Sequence, residues 1–476
     1  MTASTFASLS YERSGDGDQL GFAIERATGA RPIGGNLVRH HADSAAALET
    51  MLERIAGARA WVHLENYIVR DDRTGRRFAD ALAARARLGV RVRVLYDAFG
   101  SFGTSRRFWS RLTDAGVDVR AFHPIVSTHP LDVFARDHRK LLVTDGLHAM
   151  IGGLCIGDEW AGDAARQRRP WRDTMVTVSG PGAAAADRAF SRTWELAGVP
   201  LPPEELEADP AECGSAIVRV VSGIPGRARV YRALQLLAAS ARERLWITDA
   251  YLVAPAPVYA GLLDAARAGV DVRLLVPGTS DLPVVRNFTR AGYRELLRAG
   301  ARVFEWQGPM LHAKTLLADQ RWARVGSSNL NVTSLLGNYE LDVVAECADL
   351  SADLARQFLR DLASSREVVL SGKRRFLPRR LVGAPAAAAP APEPAHKRSG
   401  YELGTVAVVA LRRVAGGVRR TIAATTAFVF SLLGALLLAF PRFMSIVLGF
   451  GAFIVALGFA IYALERRRAQ EFEDAA

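Results

Sequence analysis

The 476-residue chain is predicted to be an α/β protein: two duplicated α/β/α halves packed about a pseudo-twofold, followed by a C-terminal two-helix transmembrane hairpin. Three observations predict this. Helical runs alternate with short Val/Ile/Leu-rich strands from about residue 30 to residue 371, the pattern of an α/β sheet. The landmarks of that region occur twice in the same order. Two uncharged runs, each long enough to cross a bilayer as a helix, close the chain.

Taken in order, residues 1–30 lack a basic segment followed by an apolar run and are read as an N-terminal extension, not a secretory signal. The first half covers 31–200 and the second 215–371. "SAAALETMLERIAGARAWVHLENYIV" matches "VYRALQLLAASARERLWITDAYLV", a helix and then a strand ending near Tyr67 or Tyr251. "ALAARARLGVRVRVLYD" matches "LLDAARAGVDVRLLVPG", with Gly89 and Gly269 at the helix-to-strand break. "LTDAGVDVRAF" matches "LLRAGARVFEW", with Gly116 and Gly300 in the same place. The offsets are 184, 180 and 184 residues, near-constant as a duplication requires. Residues 201–214, rich in proline and acid, are the linker.

The tail divides into a basic and Pro/Ala-rich linker (372–400), a candidate interfacial helix (401–420), the hairpin (421–464) and a cytoplasmic tail (465–476). "TIAATTAFVFSLLGALLLAF" and "SIVLGFGAFIVALGFAIYAL" are the two spans, broken at Pro441. Arg412, Arg413, Arg419 and Arg420 precede the first span and Arg466, Arg467 and Arg468 follow the second, whereas the turn holds only Arg442. Both ends, and the large N-terminal region with them, are therefore expected on the cytoplasmic side.

Net charge is +12, but residues from Ser371 onward hold 15 basic and 6 acidic side chains, which leaves only +3 for everything before them. The basicity belongs to the membrane tail, so nucleic acid is not an expected partner. Three scattered cysteines (Cys155, Cys213, Cys347) suggest neither a disulfide framework nor a metal cluster.

The chemistry lies in "RDHRKLLVTDG" (136–146) and its echo "LHAKTLLADQ" (311–320). Both read His-x-Lys-x4-Asp: His138, Lys140 and Asp145, then His312, Lys314 and Asp319. The chain has only four lysines and otherwise writes arginine, yet two of the four occupy the matched positions. That pattern favours a compact ammonium over a planar fork. In a strand, positions i and i+2 share a face, so each His–Lys pair points one way. The aspartates complete the candidate catalytic set, although Asp145, seven residues on and ahead of Gly146, suits a structural brace. The candidate substrate-binding set is Gly153 in "GGLCIGDEW", Ser327 and Asn329 in "GSSNLN", Asp173 in "WRDTMVTVSGP" and Glu340 in "NYELDVV". Either of those two carboxylates can accept a hydrogen bond from a histidine ring. His63, His123, His129 and His148 have no matched partners and are read as structural or surface residues; Trp171, Trp194 and Trp306 are read as core.

Two imidazoles and two ammoniums brought together make a cationic pocket for an anion, and suit a phosphate diester. One histidine can attack phosphorus and the other can protonate the leaving alcohol. The paired motifs with their glycine-rich runs resemble the phospholipase D superfamily over roughly residues 30–370, and "GGNLV", "GVRVRVLYDAFGS", "GGLCIGDEW" and "WRDTMVTVSGP" resemble its bacterial cardiolipin synthase branch. The resemblance implies two phospholipase D-like halves. It also implies transfer of a phosphatidyl group from phosphatidylglycerol to a lipid alcohol, with loss of glycerol, a phosphohistidine intermediate on one of His138 and His312 and the other as general acid and base; we read His138 as the nucleophile. It implies anionic phospholipids as partners, no cofactor, no metal ligands, and a place at the bacterial inner membrane. Cys155 stands where the family usually has asparagine. The oligomeric state is not legible. Hydrolysis by the same chemistry, and a non-catalytic membrane scaffold, are the alternative functions.

Overall fold

The structure is a computed structural model that describes residues 19–124, 135–370 and 376–380. The Pro/Ala linker, the candidate interfacial helix, the hairpin over 421–464 and the terminal tail lie outside the described residues. Among the described residues no helix is long and apolar enough to cross a membrane.

The first half comprises β1 (Ile33–His41), α2 (Ser44–Gly57), β2 (Trp61–Asn66), α3 (Arg73–Arg87), β3 (Arg91–Asp97), α4 (Arg106–Thr113), β4 (Asp118–Phe122), β5 (Lys140–Thr144), β6 (His148–Gly152), α5 (Asp158–Ala161), β7 (Met175–Ser179) and α6 (Pro181–Leu196). The second repeats the order: β8 (Ala216–Gly223), α7 (Arg229–Ser240), β9 (Arg244–Thr248), α8 (Ala256–Arg267), β10 (Asp271–Pro277), α9 (Pro283–Arg298), β11 (Arg302–Trp306), β12 (Thr315–Ala318), β13 (Trp322–Gly326), β14 (Glu340–Glu346) and α10 (Ala348–Ala363). Two edge strands, β15 (Ser365–Leu370) and β16 (Phe376–Arg380), close that side.

Strand order shows the duplication directly. From the centre outward the first half runs β1-β7-β6-β5-β2-β3-β4 and the second β8-β14-β13-β12-β9-β10-β11. The halves meet where β1 pairs antiparallel with β8. In each, two parallel crossovers build β2-β3-β4 or β9-β10-β11, and an antiparallel hairpin carries the motif strand. The glycines at the helix-to-strand breaks have positive φ in both copies, +85° at Gly89 and +88° at Gly269, which explains why that residue recurs.

Three apolar clusters hold the fold. Leu48, Phe78, Leu82 and Val94 fill the helical side of the first half; Leu234, Leu262, Leu274 and Leu296 fill that of the second. The third joins both sheets, with Leu141, Ile151 and Val176 packed in one cluster with Leu317, Val325 and Leu341. This shared core makes the two halves a single body. One boundary differs from the sequence reading. The expected N-terminal extension contains α1 (Gln19–Thr28), which packs on α7, and its fully buried Ile24 belongs to the second half's core. That helix thus reaches past its own half.

Candidate active site

His138 lies just before β5 and His312 just before β12. Each is fixed by short parallel bridges to the other half. His138 N donates to Tyr339 O at 2.9 Å and Tyr339 N to Arg136 O at 2.9 Å; His312 N donates to Arg172 O at 2.7 Å and Arg172 N to Met310 O at 2.9 Å. The residue after Tyr339 is Glu340, and the residue after Arg172 is Asp173. The carboxylates are therefore exchanged. His138 Nδ1 donates to Glu340 at 3.0 and 3.1 Å, and His312 Nδ1 donates to Asp173 Oδ2 at 2.6 Å. Holding the proton on Nδ1 leaves each Nε2 lone pair for chemistry.

The two carboxylates are shared differently. Glu340 also accepts from the hydroxyls of Ser327 and Ser334. Asp173 Oδ2 also accepts from Trp160 Nε1 at 3.0 Å, and its Oδ1 from Thr174 N at 2.8 Å. Burial alone would raise both carboxyls, but the adjacent histidines and lysines outweigh it and hold both below their usual range. Burial, helped by Lys314, presses His312 down to about 4. His138 is lowered chiefly by burial, with Glu340 opposing.

Lys140 and Lys314 are fully buried, and each ammonium donates to the carbonyl of its own histidine. They lie under the tyrosine rings, 5.0 Å from Tyr67 and 6.0 Å from Tyr251 respectively. Burial lowers Lys314 to about 8, and Lys140 adds to that effect, so the two ammoniums feel each other. Sheet register places Asn66 opposite Lys140.

Both imidazoles open on one cavity of about 620 Å³. Asn329 and Cys155, the matched pair of the repeats, line it too. Asn329 Oδ1 has no partner among the described residues, which leaves it for a ligand. Cys155 is fully buried, and burial raises its thiol, so it faces the cavity as a neutral apolar group.

Several expected roles change with the geometry. Asp145 and Asp319 are not at the site. They sit beyond the far ends of β5 and β12, roughly 20 Å along the strand from their histidines. With φ of +53° and +55° they occupy tight turns, where each carboxylate accepts three consecutive backbone N–H groups: Arg59, Ala60 and Trp61, or Arg242, Glu243 and Arg244. They brace β2 and β9. Asp173 and Glu340, grouped with substrate contacts, lie behind the imidazoles and not among the cavity-lining residues. Ser327 is likewise turned to Glu340. Gly153 is not a cavity residue: a Cβ there would meet Asp173 Oδ1 at 2.1 Å, so glycine makes room for that carboxylate. His63 is an internal ion-pair centre, 2.6 Å from Asp187 and 3.1 Å from Glu205; against burial, the two carboxylates raise it. Trp194 is core, whereas Trp171 lines the cavity.

The sequence reading missed Trp160, which packs edge-on to His312 at 5.5 Å, and the cavity role of Tyr67 and Tyr251. The tyrosines had a signal, since they recur in the repeats. Trp160 has none, because nothing in its half marks it as facing the other half's histidine.

A duplicated fold with a His–Lys pair in each half, meeting in one cavity, defines the phospholipase D-like class. The same fold is present in the crystal structure of phosphatidylserine synthase from Haemophilus influenzae Rd KW20, with a TM-score of 0.60 over 75% of this chain and 93% of that one, at 14% identity. The family described as "Cardiolipin synthase, PLD-like domain" matches residues 51–167 and 234–362, once in each half. Cardiolipin synthase 2 of Bacillus anthracis is 34% identical over 339 residues, 70% of this chain and 65% of that protein, just under two thirds of its length. Cardiolipin synthase A of Pseudomonas aeruginosa is 34% identical over 355 residues, 74% of this chain and 72% of the relative. The chain belongs to the cardiolipin synthase family of PLD-like proteins.

Proposed function

We propose that the protein is a phosphatidyltransferase that moves a phosphatidyl group from phosphatidylglycerol to a lipid alcohol, a second phosphatidylglycerol in the simplest case, and releases glycerol. One observation carries the reading: two imidazoles, each held by a buried carboxylate of the opposite half, open on one cavity, and a fully buried lysine donates to each histidine's own carbonyl. The family membership supports the substrate class.

In this scheme Nε2 of His138 attacks phosphorus, and the bond from phosphorus to the glycerol oxygen breaks. His312, protonated on Nε2, gives that proton to the departing oxygen. The acceptor hydroxyl then returns a proton to His312 as its oxygen attacks phosphorus and the P–N bond breaks, restoring neutral His138. Burial holds His312 near 4, but an arriving phosphate adds negative charge and favours the imidazolium. The short 2.6 Å bond to Asp173 suits a proton carrier. Glu340, divided among His138 and two serines, suits a ring that stays neutral. Lys140 and Lys314 supply the positive field for the phosphate, and the scheme draws on no metal. We place the reaction at the cytoplasmic face of the bacterial inner membrane.

Purified protein given phosphatidylglycerol in vesicles should yield cardiolipin and glycerol in equal amounts. Phosphatidic acid as the only phospholipid product would replace the transferase with a hydrolase. No turnover, with His312→Ala identical to wild type, would leave a scaffold.

A further inference from the structure

The rim of the cavity is unlike on its two sides. On the first half Arg70 borders it. On the second half four exposed apolar side chains stand beside polar ones such as Asn331 and Thr333: Val253 37%, Leu282 48%, Val332 55% and Phe288 62%. Large apolar side chains scattered singly over a surface need no explanation; four on one rim of one cavity do. The carboxylate on that rim, Asp281, is engaged by the Tyr251 hydroxyl at 2.9 and 3.0 Å.

The rim also leads somewhere. Val253 and Phe288 are common walls of the catalytic cavity and of a second, smaller cavity of about 110 Å³. That groove lies between α8 and α9 and is lined by Leu262, Leu296, Tyr259 and Gly292. Tyr259 spans it, its hydroxyl donating to Gly292 O at 2.5 Å. Gly292 stands in the middle of α9, where glycine costs helix stability. A Cβ there would touch the Tyr259 ring at 3.4 Å, so glycine lets Tyr259 lie close against α9 at the groove wall.

We propose that this lip and groove form an acyl-chain site. One chain of the phospholipid whose phosphate lies between His138 and His312 leaves the cavity over Val253 and Phe288 and enters the groove between α8 and α9. The inference rests on the lipid-transfer reading and adds to it that the diacyl part lies on the second half. A phosphodiester substrate with long chains needs a largely apolar path that begins at the phosphate pocket, and Val253 and Phe288 start one there.

Two measurements test it. Phe288→Asp puts a charge on the lip, and Gly292→Leu narrows the groove by crowding the Tyr259 ring, with a melting curve to show that each variant is folded. For either variant the ratio of kcat/KM on dioleoyl to dihexanoyl phosphatidylglycerol should fall at least about tenfold. Leu88→Ser, at the opposite edge of the sheet, should leave the ratio alone. An unchanged ratio in both test variants overturns the proposal while leaving phosphatidyl transfer intact. Independently of turnover, phosphatidylglycerol with a photoactivatable diazirine on its chain should label residues 256–267 or 283–298 of the full chain. Labelling confined to the first half would overturn the site even if wild type proves inactive on this lipid.

Discussion

His138 and His312 are matched by sequence and unequal by surroundings. The first shares Glu340 with two serines; the second has Asp173 at 2.6 Å and Trp160 against its ring. This inequality underlies the proposed order of steps, which can be read kinetically. With a phosphatidyl ester of p-nitrophenol, the leaving oxygen needs no proton. His312→Ala should then release about one equivalent of nitrophenolate and stall, since nothing deprotonates the acceptor. His138→Ala should release none; the reverse pattern would exchange the two roles. The same burial fixes a pH dependence of stability. An unfolded histidine takes up its proton as the pH falls through 6.5, whereas folded His312 resists until about 4. Stability must therefore fall across that window, by roughly 3 kcal/mol from this one group. His138, also lowered, adds to the loss, and Asp173 and Glu340, both depressed, extend it at lower pH. His63 runs the other way: its folded value is raised, so its contribution is complete below 6.5 and disappears as the pH rises through that higher value. Urea midpoints between pH 4 and 6.5 should show a flatter slope for His312→Gln than for wild type; equal slopes would remove the argument.

The motif hairpin separates chemistry from bracing within a dozen residues. The His-x-Lys spacing was legible as a repeat, but not by strand periodicity, since His138 lies ahead of β5 and His312 ahead of β12; the turn was legible because Asp145 precedes Gly146. What Asp145 holds was not legible: three N–H groups at the start of β2, more than 80 residues earlier. Asp145→Ala should cost about 1–3 kcal/mol of stability, since it strands those donors, while kcat of the folded protein stays near wild type. Gly153→Ala should behave in the opposite way. Its Cβ would lie 2.1 Å from Asp173 Oδ1, so the carboxylate must shift and take His312 with it. A displacement of that size should lower kcat about 10²-fold. Comparing melting curves with initial rates for the two variants decides it, and a Gly153→Ala protein of full activity would show that Asp173 does not position His312.

At the scale of the molecule, near-constant offsets made the duplication readable, but a repeat does not say which face of one copy meets the other. The exchange of Glu340 and Asp173 between halves came only with the bridges from Tyr339 and Arg172, contacts between residues some 140 to 200 apart in sequence. The crossing of α1 onto α7 was hidden for the same reason. That exchange has a consequence for the intact chain. Residues 211–214 are exposed in the linker, so the chain can be divided between Ala211 and Glu212 without cutting a strand or helix. Fragment 1–211 then holds His138 without Glu340, and fragment 212–476 holds His312 without Asp173. Each would also uncover its side of the shared core of Leu141, Ile151, Leu317 and Leu341. Burying that apolar surface again drives reassociation. Either fragment alone should transfer phosphatidyl groups at less than about a thousandth of the intact rate, because each retains one histidine of two and that one has lost its carboxylate. Coexpressed fragments should recover most of the activity. Recovery should fail when fragment 1–211 carries Asp173→Asn, a residue that supports the histidine of the other fragment. Full activity from fragment 212–476 alone would refute the exchanged-carboxylate site.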